Sequence, residues 1–301
     1  MRTREEKIFQ IIGNIVMMIA SLLVIIPMIL LLSSSFTDND ALIRDGYRFI
    51  PTVFSTEAYT YVFSTGNSIL RAYGVSFLLT AVGTVCSLII TTMLAYPLAR
   101  SGLPFRGVLT FLVFFTMLFN GGLVPTYINY SNVFHIKNTF WAILIPGLLM
   151  SAYNVLLTKS YFVTGVPTEI LEAASIDGAS EFRTFLSVAL PMAKPIIATI
   201  GLFVGIAYWN DWNNSIVYLT STGGNQWYSI QALLYQMMQN ISYLSQNATN
   251  IGGYNQEGLA SIPAASVRMA MAVLGVIPII IVYPFIQNNF VKGITLGGVK
   301  G

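Results

Sequence analysis

The sequence predicts an all-α membrane protein with six transmembrane helices. Hydrophobic residues make up 55% of the 301 residues and charged residues only 9%, and the mean hydropathy is +0.69. A soluble protein of this size needs more charged residues to cover its surface. Several apolar runs also exceed the roughly 18 residues that a helix needs to cross about 30 Å of hydrocarbon. Composition and run length therefore both place the chain in a bilayer.

Six apolar runs of membrane length follow one another along the chain. They cover residues 8–32, 72–98, 108–128, 139–157, 196–219 and 267–291. An even number of spans places both termini on the same side of the membrane. With no internal repeat and no shift in composition, residues 1–301 are predicted to form a single transmembrane domain.

Positive charge is unevenly divided between the two sides that these spans define. One side holds ten of the 15 Lys and Arg residues, namely Arg2, Arg4, Lys7, Arg100, Arg106, Lys159, Arg183, Lys194, Lys292 and Lys300. The other side holds Arg44, Arg48, Arg71, Lys137 and Arg268. Because cytoplasmic loops retain Lys and Arg, both termini are predicted to be cytoplasmic. The net charge of +3 follows from this bias, so no nucleic-acid partner is expected.

The sequence offers little for catalysis, metal binding or cofactor binding. One cysteine, Cys86, and one histidine, His135, are too few for a zinc site built from these ligands. No GxxxxGK phosphate-binding loop is present, so the chain is not expected to bind nucleotide by that loop. An intramembrane hydrolase using Asp211 would need a paired aspartate in the spans, which is missing. We therefore expect no catalytic residue, no metal and no cofactor.

The segment 167–191 is charged and helix-compatible, and it lies between the fourth and fifth predicted spans. A helical spacing of i, i+3, i+4 and i+7 is occupied by Ile170, Ala173, Ala174 and Asp177. Pro167 suits a first helical turn, Gly178 breaks the helix, and Ser180 can cap a second helix. These residues predict a stiff helix–turn–helix on the cytoplasmic side. It either enters a groove on a neighbouring subunit or rests on lipid headgroups, as other interfacial helices do.

The same segment resembles the EAA loop of the permease subunits of ABC importers, and in particular the maltose-permease-like second subunit of carbohydrate importers. The matching positions are Pro167, Glu172, Ala173, Ala174, Ile176, Asp177, Gly178, Ala179, Phe185, Leu190, Pro191, Lys194 and Pro195. FNGGLVPTYI at 119–128, NTFWAILIPG at 138–147 and KGITLGGVKG at 292–301 look like the subgroup that imports complex plant or algal oligosaccharides.

The resemblance implies the type I ABC importer permease fold in the bacterial plasma membrane. It also implies a complex with a second permease subunit, two ATP-binding subunits that hydrolyse the ATP, and an extracytoplasmic solute-binding protein. The residues that it assigns to ATPase coupling are Glu172, Ala173, Ala174, Asp177, Gly178 and Pro191. The outer segments 33–71 and 221–266 are either solvated loops or docking surfaces for the binding protein. A permease for peptide, polyamine or phosphate is the alternative.

The end of the fifth predicted span is rich in aromatic and amide side chains. Its candidate residues for a sugar path are Tyr208, Trp209, Asn210, Asp211 and Trp212, with Tyr153 and Asn154 of the fourth span as weaker candidates. Sugars stack on aromatic rings and hydrogen-bond to amides and carboxylates. The alternative is an interfacial aromatic belt with a structural hydrogen bond from Asp211. The resemblance further implies that the companion permease makes the principal sugar contacts, and the sequence does not name the sugar.

Overall fold

The computed structural model describes residues 4–64, 66–247 and 263–298, and these are almost entirely helical. The helices are α1 (Arg4–Ser35), α2 (Asn39–Asp45), α3 (Glu57–Phe63), α4 (Asn67–Ala99), α5 (Arg106–Leu118), α6 (Leu123–Ile128), α7 (Trp141–Leu144), α8 (Ala152–Gly165), α9 (Thr168–Ile176), α10 (Glu181–Thr184), α11 (Leu190–Met192), α12 (Lys194–Asn210), α13 (Asn213–Tyr218), α14 (Ile230–Asn247) and α15 (Ala264–Gly298). Two π-helical turns continue α6 and α10, at Asn129–Val133 and Phe185–Ala189. The all-α prediction is confirmed for the described residues.

Three of the predicted spans are long uninterrupted helices. Glu5–Ser35, Ser68–Ala99 and Ala264–Pro284 are each long and apolar enough to cross a membrane. Two further helix pairs are long and apolar enough to cross a membrane only when the two helices of each pair are counted together. The bend between Arg106–Leu118 and Leu123–Val133 is 113°, and the bend between Glu181–Met192 and Lys194–Asn210 is 79°. Each pair counts as a further candidate span only if its two helices cross the membrane together. The described residues thus supply three to five candidate spans.

The fourth predicted span, 139–157, is not a continuous helix. α7 ends at Leu144 and α8 begins only at Ala152. Between them, Pro146 has no backbone N–H to donate to a helical hydrogen bond. Gly147 has a φ of +73°, which lies outside the negative range of a right-handed α-helix. Hydropathy averaged over the segment hid this break, so the prediction of one uninterrupted helix here was wrong.

The chain divides into two compact units, which we describe separately. Unit 1 comprises Met1–Asn67 and Leu234–Pro278. Within it, the ring of Phe36 stacks on Phe54 at 5.7 Å between centroids, and the Ser35 hydroxyl lies 2.8 Å from that of Tyr59. Ala265 N donates to Asn39 Oδ1 at 3.0 Å. Much of the predicted outer segment 33–71 therefore has defined contacts.

Unit 2 comprises Ser68–Leu233 and Ile279–Gly301, and it includes the candidate site. Arg2, Lys300, residues 248–262 of the second outer segment and the last three residues of the motif at 292–301 lie outside the described residues. The predictions that rest on them stay predictions.

In unit 2, α4 packs on α12 through small residues. A Cβ added at Gly205 would meet Thr84 Oγ1 at 3.5 Å, which is ordinary contact. A Cβ added at Gly83 would instead overlap the ring of Tyr208. That ring is fully buried, and its hydroxyl donates a hydrogen bond of 2.8 Å to the carbonyl oxygen of Leu144. The position of the Tyr208 ring is thus fixed by its contact with Gly83 and by its hydrogen bond to Leu144.

Gly83→Ala is therefore expected to destabilise the permease, whereas Gly205→Ala is not. Overpacking of a filled interior costs about 1–3 kcal/mol, and the Tyr208 ring cannot shift without losing its hydrogen bond. The measurement is the apparent unfolding temperature of both variants, purified in the same detergent. Equal values for Gly83→Ala and wild type would contradict this packing.

Candidate functional site

The structure forms the segment 167–191 as the predicted helix–turn–helix. Pro167 occupies the N-cap position directly before α9, and α9 ends at Ile176. Gly178 has a φ of +79°. The hydroxyl of Ser180 accepts a hydrogen bond of 3.3 Å from Arg183 N and caps α10. The predicted start, break and cap are all confirmed.

The turn at Gly178 has a defined hydrogen-bonding pattern. Ala179 N donates to Ala174 O at 3.0 Å, and Gly178 N donates to Ser175 O at 3.1 Å. These two bonds form a Schellman motif, in which the residue at the glycine position adopts a left-handed conformation. Gly178 is thus the residue that fixes the direction in which the chain leaves α9.

The outward face of this segment combines apolar and acidic side chains. The side chain of Ile176 is 86% exposed and that of Phe182 is 61% exposed. Glu172, Ala173, Asp177, Gly178 and Pro191 are also exposed, and Ala174 is half-buried. Leu171, at 5% exposure, anchors α9 on the opposite face. Large apolar side chains that project from a polar loop are typical of an interaction surface.

A contact that the sequence did not predict joins this segment to the end of α4. The carboxylate of Glu181, the first residue of α10, accepts hydrogen bonds from Tyr96 and Arg100, each at 3.1 Å. The pairs are separated by 85 and 81 residues. No short-range pattern marks residues that are so far apart in the sequence, so the sequence analysis did not find this contact.

The candidate sugar path falls at the end of α12, which stops at Asn210 rather than continuing to residue 219. Asp211 is extended, and its Oδ1 accepts a hydrogen bond of 3.3 Å from Asn214 N at the start of α13. Ser229 Oγ donates to the Asp211 carbonyl oxygen at 2.9 Å. Oδ2 of Asp211 is buried and has no hydrogen-bond partner among the described residues. Asp211 therefore organises the chain where α12 ends.

The other candidates divide by accessibility. Tyr208 is fully buried, and Trp209, at 5% exposure, lies 5.2 Å from Phe77 between ring centroids. Asn154 is buried as well. By contrast, the side chain of Trp212 is 40% exposed and that of Tyr153 is 55% exposed. Asn210 is exposed as well. Contact of these residues with sugar stays a prediction, and the accessible ones are placed best for it.

The family described as "Binding-protein-dependent transport system inner membrane component" matches residues 3–296 of this sequence. The chain belongs to this family. It is therefore a permease, the multi-pass membrane component of an ABC transport system in the bacterial plasma membrane, and a non-catalytic subunit. The predicted family is confirmed, and so is the prediction that the chain is no enzyme.

Relatives match the permease over nearly its whole length. It is 34% identical over 297 residues to the polygalacturonan/rhamnogalacturonan transport system permease protein YtcP of Bacillus subtilis, covering 99% of this chain and 100% of that protein. Protein LplC of Bacillus subtilis is 33% identical over 299 residues, and this match covers 99% of this chain and 97% of that protein. A crystal structure of a bacterial ABC transporter involved in the import of the acidic polysaccharide alginate has a chain with a TM-score of 0.76 and 28% identity. That match covers 96% of the permease and 99% of that chain.

Proposed function

We propose that this permease is one of two membrane subunits of an ATP-driven importer of oligosaccharides, and that the segment 167–191 is its coupling loop. The observation that carries the proposal is the outward face of α9 and α10, where the exposed Ile176 and Phe182 flank the glycine turn. A rigid projection of this kind transmits force, and its exposed apolar side chains need a partner surface.

The proposed coupling residues are Glu172, Ala173, Ala174, Asp177, Gly178 and Pro191. Exposure supports this assignment for all of them except Ala174, which is half-buried, since exposed residues are available to a partner subunit. The partners are a second permease subunit, two ATP-binding subunits and an extracytoplasmic solute-binding protein. ATP binding and hydrolysis in the partner would move the docked loops and switch the permease pair between outward-facing and inward-facing states.

The proposed topology has six crossings, with both termini in the cytoplasm and one permease domain over residues 1–301. The fourth crossing is formed by α7 and α8 with the break between them. Broken helices are tolerated at membrane depth where protein or a water-filled cavity surrounds them. The excess of Lys and Arg on one side supports the orientation and places the coupling loop in the cytoplasm.

Oligosaccharides from plant or algal polysaccharides are the proposed cargo. Support comes from the relatives, since one is described as transporting polygalacturonan or rhamnogalacturonan and another as importing alginate. Both relatives whose descriptions name a cargo are described with a polysaccharide, so the peptide, polyamine or phosphate alternative is disfavoured. The proposed sugar path uses Asn210, Trp212 and Tyr153 for contact, while Tyr208, Trp209, Asp211 and Asn154 support the site from within.

Uptake of labelled oligosaccharides tests both the cargo and the path. Cells that lack the permease gene are expected to lose uptake of oligosaccharides and to keep uptake of peptides and polyamines. Trp212→Ala is expected to lower uptake at low substrate concentration about 2- to 10-fold, because stacking on an aromatic ring contributes about 0.5–1.5 kcal/mol. Trp212→Phe keeps a ring and is the matched control. Normal uptake by Trp212→Ala would remove Trp212 from the path, and unchanged uptake without the gene would overturn the cargo.

A further inference from the structure

We propose that Tyr96, Arg100 and Glu181 form a pin that holds the coupling loop to the cytoplasmic end of α4, so that movement of the loop is passed to that helix. The proposal rests on the proposed function of the segment 167–191 as a coupling loop. It assigns these three residues as positioning residues for transport.

In the pin, the carboxylate of Glu181 accepts one hydrogen bond from each of two side chains of α4. Tyr96 Oη donates to Glu181 Oε2, and Arg100 Nη2 donates to Glu181 Oε1, each at 3.1 Å. Hydrogen bonds to an ionised carboxylate are stronger and more directional than bonds between neutral groups. Glu181 lies three residues beyond Gly178, so the hydrogen bonds of the pin attach to the chain directly after the turn.

The Tyr96 ring extends the pin to the helix before the loop and to the second half of the loop itself. It is 7% exposed. Its centroid lies 5.7 Å from that of Phe162, on α8 before the loop, and 5.1 Å from that of Phe185, directly after α10. One side chain of α4 thus contacts the helix through which the chain enters the loop and the turn that follows α10 within it.

Open clefts adjoin the pin. A cleft of about 610 Å³ lies between Pro97 of α4 and Glu172 of α9, and Tyr96, Arg100 and Glu181 line it. A second cleft of about 200 Å³ is lined by Tyr96 and Arg100 as well. Atoms that face a void have no dispersion contact on that side. The clefts therefore leave part of the boundary between α4 and the loop unpacked, and the pin is a direct link across it.

The exposure of the ion pair makes the proposal testable without unfolding the protein. The side chain of Arg100 is 27% exposed and that of Glu181 is 68% exposed. An ion pair in such contact with water adds little to the stability of the fold. Loss of the pin is therefore expected to alter transmission of movement while the permease still folds and assembles.

The experiment uses the complete importer in proteoliposomes with its binding protein, and measures solute transported per ATP hydrolysed. Glu181→Ala is expected to lower this ratio about fivefold, the lower end of typical coupling between sites. Tyr96→Phe, which keeps the ring, is expected to lower it in the same direction. Because both act through one carboxylate, adding Tyr96→Phe to Glu181→Ala is expected to cause no further loss. The exchange of charges in Arg100→Glu with Glu181→Arg is expected to restore part of the ratio that each single change removes.

The matched control is Lys7→Gln, which also removes one charge from the predicted cytoplasmic side but lies outside the coupling loop. Lys7 is exposed, and its side chain is in no ion pair in the described part of the chain. The ratio of solute transported to ATP hydrolysed in this control is expected to equal that of wild type.

The pin would be overturned if Glu181→Ala left this ratio unchanged. It would also be overturned if the charge exchange gave a ratio no higher than those of its two single changes. Loss of the ATP-binding subunits from Glu181→Ala would also overturn it, since Glu181 would then act in docking. A wild-type importer that does not couple hydrolysis to uptake would refute the proposed function and the pin together, whereas coupled wild type with unaffected variants refutes only the pin.

Discussion

Gly178→Val is expected to reduce the solute-stimulated ATPase activity of the importer by about 5- to 30-fold. Gly178 has a φ of +79°, and nothing lies within 4 Å of the position that a Cβ would take. The change therefore acts through backbone strain and not through a clash within the chain. A left-handed conformation costs an L-residue about 1–2 kcal/mol, a factor of about 5–30 in the population of the correct turn.

Gly178→Asn is the matched control for this prediction. Asparagine enters the left-handed region more readily than other residues with a Cβ and is found at the same helix-ending position. We expect it to keep most of the stimulated activity, with both variants present in the membrane at wild-type amounts. Wild-type stimulation in Gly178→Val would show that the turn does not position the loop for its partner.

Glu172→Lys is expected to prevent stable association of the permease with its ATP-binding subunits. Glu172 is one of the proposed coupling residues, and its side chain is exposed on α9, where an ATP-binding subunit can reach it. Removing one member of a charge pair that an interface buries costs about 2–5 kcal/mol, and reversal adds repulsion. The measurement is co-purification of the ATP-binding subunits with a tagged permease.

Glu169→Lys is the control, because it makes the same charge change at an exposed position in the first turn of the same helix. Its co-purification is expected to stay close to wild type. Equal losses in both variants would mean that general charge on α9, and not a specific contact of Glu172, holds the ATP-binding subunits.

The helix–turn–helix of segment 167–191 was predictable because its signals are local. Pro167, Gly178 and Ser180 each act within one helical turn, and the structure places each where short-range rules require. The three uninterrupted spans were predictable for a similar reason, since a run of apolar residues needs no information from distant parts of the chain.

The sequence failed where a distant contact or a single break decides the structure. The pin joins residues 81 and 85 positions apart, and no periodicity marks such a pair. The break after Leu144 depends on Pro146 and Gly147, which mean hydropathy does not register. Burial of Tyr208 follows from its fit against Gly83, which composition does not register, so the sequence could not show which sugar-path candidates are accessible.

Crosslinking from Ile176 tests whether the segment 167–191 docks on an ATP-binding subunit. Ile176 is 86% exposed at the end of α9, and a Cys86→Ser background removes the chain's one native thiol. In the assembled importer, a bifunctional thiol reagent at Ile176→Cys is expected to join the permease to an ATP-binding subunit, and membrane-impermeant reagents are expected to reach this position only from the cytoplasmic side. Labelling from the outside, or a crosslink to the solute-binding protein, would contradict the account.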